Sequence, residues 1–247
     1  MSINQWATRV KNPPYLVTPP LFSLLRNKWR NRDRVLPNIP DHQLYQPVYY
    51  PWLGGGAFGK ICSDIAAFSL VSPDRLWVLY SAAKNAALLP GVMVECGVYK
   101  GGTAYLLARV ATKHLHLFDS FSGMPKTNST VDKHQKGDFS DTSLAMVKRN
   151  VGDHPNISYH CGYIPDTFSE VALENIALLH IDLDIYDSIY AAVQHCYDKV
   201  LRGGFIIFDD YGFESCYGAR LAVDAFFKDK PEWPICLPTG QALVIKA

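Results

Sequence analysis

Four short apolar runs in this 247-residue chain end in acid. VMVEC (92–96) leads into Glu95-Cys96-Gly97-Val98-Tyr99-Lys100-Gly101-Gly102-Thr103, and HLHLFD (114–119) into Asp119-Ser120-Phe121. IALLHIDLD (176–184) delivers Asp182-Leu183-Asp184, and GFIIFDD (204–210) delivers Asp209-Asp210-Tyr211. Carboxylates gathered from neighbouring strand ends repel and raise one another's pKa unless a cation sits among them. Asp182, Asp209 and Asp210 are the set expected to converge. Oxygen donors of that kind select Mg²⁺, Mn²⁺ or Ca²⁺ over a thiophilic ion. Asp184 shares a strand face with Asp182 by period-two alternation, as does His180. The histidine reads as a buried, hydrogen-bonded imidazole, and Asp187 as a cap on the helix that follows.

The elements that must position these acids are legible from periodicity. Ser72-Pro73-Asp74 before RLWVLYSAAKNAALL reads as a helix start, with serine at the cap and proline in the first turn. Further helices are expected over 101–111, 142–150, 187–200 and 218–229, and strands over 92–96, 114–119, 157–161, 176–184 and 204–210. The runs 234–237 and 242–246 flank Pro238-Thr239-Gly240 and form a terminal hairpin. Apolar strands alternating with helices imply a doubly wound α/β fold. Its sheet is seven-stranded, mostly parallel and Rossmann-like, with a C-terminal antiparallel hairpin. Such sheets bind ligands beyond the carboxyl ends of their strands, where the winding reverses.

Residues 1–60 differ from the rest. They hold eight of the sixteen prolines and eight Lys/Arg against two acids, leaving 16 bases and 21 acids in residues 61–247. They read as an irregular basic arm with one short helix near 21–30, ahead of a catalytic domain over 61–247. Gly54-Gly55-Gly56 with Gly59 lacks the ending of a phosphate loop and is expected to be a hinge. Formal charge is +1, which disfavours nucleic acid as a partner. Six cysteines without a Cys-x-x-Cys pair disfavour a zinc ribbon or a disulfide scaffold. No apolar run approaches a membrane span and no signal-peptide core opens the chain, so a cytoplasmic location is expected. Assembly into a homo-oligomer through the arm is a further expectation.

The glycine turn narrows the ligand. Gly97-x-x-x-Gly101-Gly102 departs from the dinucleotide fingerprint, and Glu95 beside it would repel a pyrophosphate but attract a cationic ligand such as S-adenosylmethionine. Asp119, at the end of the next strand, is placed to accept ribose hydroxyls. Tyr99 and Thr103 belong to the same turn, and Phe121 and Met124 are placed to pack against an adenine.

At these residues the chain resembles the class I S-adenosylmethionine-dependent methyltransferases. More narrowly, it resembles the macrocin O-methyltransferase family of metal-dependent sugar methylases. FSLVSPDRLWVLY, VMVECGVYKGGTA, HLFDSFSGMP, GYIPDTF, LLHIDLDIYDS, GGFIIFDDYGF and GARLAVDAFF carry the likeness over residues 68–247. The resemblance implies Asp182, Asp209 and Asp210 as Mg²⁺ ligands. It implies a donor site lined by Glu95, Gly97, Gly101, Asp119 and Ser120, with Gly162 near the adenine. Ile185 stands where catechol-type relatives carry a lysine, and Leu183 where many relatives carry glycine. The expected reaction is methyl transfer to a hydroxyl of a sugar, glycoside or related natural product, with Asp182 or Asp184 taking the proton. Competing readings are a non-catalytic S-adenosylmethionine-binding protein, a glycosyltransferase holding Mn²⁺ through Asp182 and Asp184, and a nicotinamide dehydrogenase. The glycosyltransferase leaves Glu95 and Asp209-Asp210 unexplained, and the glycine spacing disfavours the dehydrogenase.

Overall fold

The computed structural model describes residues 51–152 and 154–247. The expected helix near 21–30 lies outside the described residues. A 3₁₀ turn (Pro51–Leu53) is followed by α1 (Gly56–Ile65). Gly56 therefore opens a helix that contains Gly59, where a hinge was expected.

The helix α2 (Pro73–Ala86) begins as its sequence predicts, with Ser72 extended, Pro73 in the first turn and Asp74 beside the positive end of the dipole. The Ser72 hydroxyl makes no capping bond; it accepts from Arg75 Nε at 3.4 Å. Strand and helix then alternate through β1 (Val92–Cys96), α3 (Gly102–Val110), β2 (Leu115–Asp119), α4 (Leu144–Val151), β3 (Ile157–Cys161) and β4 (Ile176–Ile181). The chain continues with α5 (Tyr186–Cys196), β5 (Val200–Phe208), α6 (Tyr217–Phe227), β6 (Ile235–Cys236) and β7 (Ala242–Ile245). α4 is capped by Ser143 Oγ, which accepts from Met146 N at 3.2 Å. α5 takes its cap from a distant residue: Asp132 Oδ1 accepts the Tyr186 amide at 2.9 Å. Asp187 sits inside the first turn, so its carboxylate faces the dipole and not the orphan amide.

The seven strands form one sheet in the order β3-β2-β1-β4-β5-β7-β6. The first five are mutually parallel, and β7 lies antiparallel between β5 and β6. The hairpin therefore places its second strand inside the sheet and its first at the edge. β4 is buried along its whole length, and Leu115, Leu117, Phe118, Leu178, Leu179 and Phe208 are among its fully enclosed neighbours and core residues. Each such side chain is worth about 1.5–3 kcal/mol of transfer free energy.

Winding reverses between β1 and β4. Register pairs Cys96 with Ile181 and with Phe118, and Ile181 with Phe208. Gly97, Asp119, Asp182 and Asp209 thus emerge level with one another at the carboxyl edge, where an open α/β sheet places its ligand. No helix among the described residues is long and apolar enough to cross a membrane.

Candidate active site

Beyond β1 the chain turns through Gly97 at φ +89°, a conformation that favours glycine. Space demands glycine too: a Cβ there would lie 1.7 Å from the Asp182 carbonyl oxygen. The turn continues through Tyr99 at φ +51° and Gly101 at φ +90°, and α3 starts at Gly102. A carboxylate ties it down. Asp119 Oδ2 accepts from Val98 N (2.7 Å) and Tyr99 N (3.0 Å), and Oδ1 accepts from Phe121 N (2.6 Å). Asp119 does line the cavity, but three backbone amides occupy most of the roughly four acceptor positions a carboxylate offers.

Of the residues expected around a donor, Gly97, Tyr99, Thr103, Ser120, Gly162 and Asp182 face the same cavity. Three others do not. Glu95 is fully buried and bonded to His180, Phe121 is buried under the turn, and Gly101 points its α-carbon toward Val147 and Val151 of α4. Glu95 was expected beside the ligand, but its side chain is taken up by His180, the residue level with it on β4. Leu70, Val71, Met124, Phe139 and Tyr163 give the remaining wall its apolar character.

Three carboxylates meet in this wall, and they are not quite the expected three. Asp182, Asp184 and Asp210 bring one oxygen each within 4.8 Å of the others. Asp209 turns away. It forms an ion pair with Arg75, accepts from Gln241 Nε2 at 2.7 Å, and lies 3.7 Å from His180 Nε2. Asp209 and Asp210 lie in the turn just beyond β5, and of the two only Asp210 lines the cavity. Asp184 takes the vacant place through a γ-turn: its φ is +61°, and Ile185 N donates to Leu183 O at 2.7 Å. Its own amide donates to Asp210 Oδ2 at 2.9 Å.

Electrostatics separates these acids. Burial, followed by repulsion from Asp209, pushes the Asp182 carboxyl well above the usual range. Burial and then Asp184 and Asp182 do the same to Asp210. Burial also raises Asp184, against the pull of the Cys216 thiol and His134. For Asp209 burial is outweighed by His180, Arg75 and Gln241, which hold it low. The cations nearby do not offset burial and mutual repulsion in this cluster, and its hard oxygen donors fit a divalent cation such as Mg²⁺.

Behind the cluster, His180 Nδ1 is 3.0 Å from Glu95 Oε1, with both side chains wholly buried. At 3.7 Å its Nε2 contact with Asp209 is electrostatic and not a hydrogen bond. Burial opposes charge on this imidazole, but Asp209 and Glu95 outweigh it and push the pKa up to about 10. Arg75, Gln241, His134 and Cys216 were missed by sequence reasoning. Only Arg75 carried a signal, as the one cation in the first turn of a helix that abuts the strand ends.

Residues 63–232 match the family described as macrocin O-methyltransferase (TylF). The mycinamicin III 3''-O-methyltransferase of Micromonospora griseorubida is 31% identical over 172 residues, covering 61% of this chain and 67% of that protein. The demethyldecarbamoylnovobiocin O-methyltransferase of Streptomyces niveus is 27% identical over 155 residues, covering 56% and 58%. The chain thus matches only about three-fifths of these relatives' lengths. Among solved structures, the O-methyltransferase NovP superposes with a TM-score of 0.64 at 23% identity, over 72% of this chain and 82% of that one. The calicheamicin methyltransferase CalS11 gives 0.63 at 17% identity, over 96% and 97%. These two likenesses establish the fold.

Proposed function

The chain belongs to the macrocin O-methyltransferase family, and on that footing we propose that it transfers a methyl group from S-adenosylmethionine to a hydroxyl of a sugar or glycoside. One observation carries the reading. A single cavity at the winding reversal holds both the Gly97–Gly102 turn and the Asp182, Asp184 and Asp210 carboxylates. The donor half has no phosphate-binding fingerprint and suits a nucleoside with a cationic sulfonium, while the acidic half suits a hydroxylated acceptor. The mycinamicin relative is named for methylation at a sugar position, which supports a sugar as acceptor here.

Asp182, Asp184 and Asp210 would hold the Mg²⁺, and Gly97, Tyr99, Thr103, Ser120 and Gly162 would line the donor. A divalent cation bound there would supply Lewis-acid polarisation of the acceptor hydroxyl. Asp182 is the proton acceptor we favour. Among the described residues its carboxylate has no hydrogen-bond partner, whereas Asp184 and Asp210 are engaged. The acceptor oxygen would bond to the methyl carbon as the carbon–sulfur bond broke, and Asp182 would take the hydroxyl proton. The turn and the apolar wall would orient the two reactants.

Calorimetry tests the donor: S-adenosylmethionine should bind, and UDP-sugars and NAD should not. Turnover of a hydroxylated glycoside should stop with EDTA, and Asp182→Asn and Asp210→Asn should each lower kcat by at least about 100-fold. Chelator-resistant methylation would remove the metal from the reading, and binding of a UDP-sugar in place of the sulfonium donor would remove the donor.

A further inference from the structure

Beside the oxygen cluster lies a set of donors of a different kind. His134 Nε2, Asp184 Oδ1 and Cys216 Sγ converge within 4.8 Å of one another. Sγ is 3.3 Å from the carboxylate oxygen and 3.8 Å from the imidazole nitrogen, and nitrogen and oxygen are 3.8 Å apart. A tetrahedral zinc ion, with Zn–S of about 2.3 Å and Zn–N and Zn–O of about 2.0–2.1 Å, holds its donors about 3.3–3.6 Å apart. The metal-free triangle is already close to that size.

We propose that His134, Asp184 and Cys216 form a zinc site, separate in donor chemistry from the Mg²⁺-type cluster and joined to it through Asp184.

Nitrogen, oxygen and sulfur together select Zn²⁺ over Mg²⁺, which does not take thiolate ligands. The outer support is present as well. His134 Nδ1 is 3.1 Å from Asp138 Oδ2, the carboxylate–histidine arrangement that fixes the tautomer and aims the other nitrogen at a metal. Asp138 is itself held by the Gln135 amide at 3.0 Å.

Each donor comes from a different segment, and each segment is pinned. The loop bearing His134 is anchored by Asp132, which accepts from Asn128 N (3.0 Å) and Tyr186 N (2.9 Å). Asp132 also reaches the start of α6, where a Cβ on Gly218 would stand 2.0 Å from its Oδ1. Lys133 meets Glu214 at 2.9 Å across the same seam. Asp184 is fixed by its γ-turn and its bond to Asp210, and Cys216 is buried in the short helical turn Glu214–Cys216. In the metal-free chain the thiol proton lies toward Asp184; on binding it is released to water and the thiolate joins the ion. Because Asp184 belongs to both sets, zinc withdraws one carboxylate from the oxygen cluster.

Cobalt(II) titration of the full chain tests this by a readout independent of methyl transfer. One equivalent should give a thiolate-to-cobalt charge-transfer band in the near ultraviolet with the visible bands of a tetrahedral ion, resistant to excess Mg²⁺. The band should persist in Asp210→Asn and vanish in Cys216→Ser, while Asp138→Asn should weaken binding by about 10- to 100-fold. His134→Gln, in a loop and only partly buried, carries the test if the cysteine variant does not fold, and should weaken binding at least as much. No band in the wild type, a band that survives Cys216→Ser, unchanged affinity in His134→Gln, or displacement by Mg²⁺ would overturn the assignment.

Discussion

His180→Gln isolates the charge buried behind the acid cluster while keeping a side chain that can donate to Glu95. The imidazole rises from 6.5 to about 10, burial working against the charge and Asp209 and Glu95 outweighing it. That displacement corresponds to about 5 kcal/mol of preference for the charged form. Removing one partner of a buried pair costs about 3–5 kcal/mol by a separate route, so the two magnitudes agree. The sign follows from the direction. A raised imidazole stabilises fully below its ordinary value of 6.5 and surrenders that contribution as pH climbs through about 10. Urea denaturation near pH 6 should therefore show the variant about 3–5 kcal/mol less stable than the wild type. Between 6.5 and about 10 the wild type should lose stability faster, and the gap should narrow. A gap under about 1 kcal/mol near pH 6, or one that stays constant across that window, would refute the charged Glu95–His180–Asp209 arrangement.

Two further substitutions probe how the site is held. Gly97→Ala combines a left-handed residue, about 1–2 kcal/mol for an L side chain, with a main-chain overlap that endangers the 2.9 Å bond from Asp182 N to Cys96 O. We expect a loss of about 3 kcal/mol or more by thermal or urea denaturation, and S-adenosylmethionine binding should fall with it; near-wild-type stability would mean the strands can part at that point. Glu232 is buried against Tyr197, Lys246 and the Ala247 amide, and although burial opposes its ionisation, these partners hold its pKa down at about 2. A depressed carboxylate stabilises above its ordinary value of 4.5 and loses that contribution as pH falls through about 2. Glu232→Gln should cost about 1–2 kcal/mol at neutral pH, and acid titration of the two proteins should converge toward pH 2.

The succession of strands and helices and the place of the cavity were legible because apolar runs, helix starts and terminal acids are local features of the chain. The hairpin was legible as two strands, but not that its second strand lies beside β5, since pairing partners are set by tertiary packing. The directions of Asp209 and Asp210 are settled in the turn beyond β5, where Arg75, Gln241 and His180 hold Asp209 away from the cavity, against the ligand set that the family resemblance implied. Asp184 was expected beside Asp182 by alternation, but β4 ends at Ile181 and the Asp184 side chain reaches the cluster through a positive-φ turn. Glu95 illustrates the opposite error. An acid next to a glycine turn looks available to a ligand, but its neighbour across the register, 85 residues later, had claimed it. His134 lies in a loop and Cys216 in a three-residue helical turn, neither long enough to show periodicity, and nothing in their spacing marks them as neighbours.

The absence of a methyl group at residue 97 has a reach beyond its own turn. It lets the first and fourth strands touch through their main chains just where they leave the sheet, so the two halves of the cavity share one backbone frame. Donor and acceptor cannot then be drawn together by sliding strands. Accommodation of acceptors of different size is left to the loops around the rim, and enlarging the substrate range should mean editing the 120–143 stretch while leaving the sheet untouched.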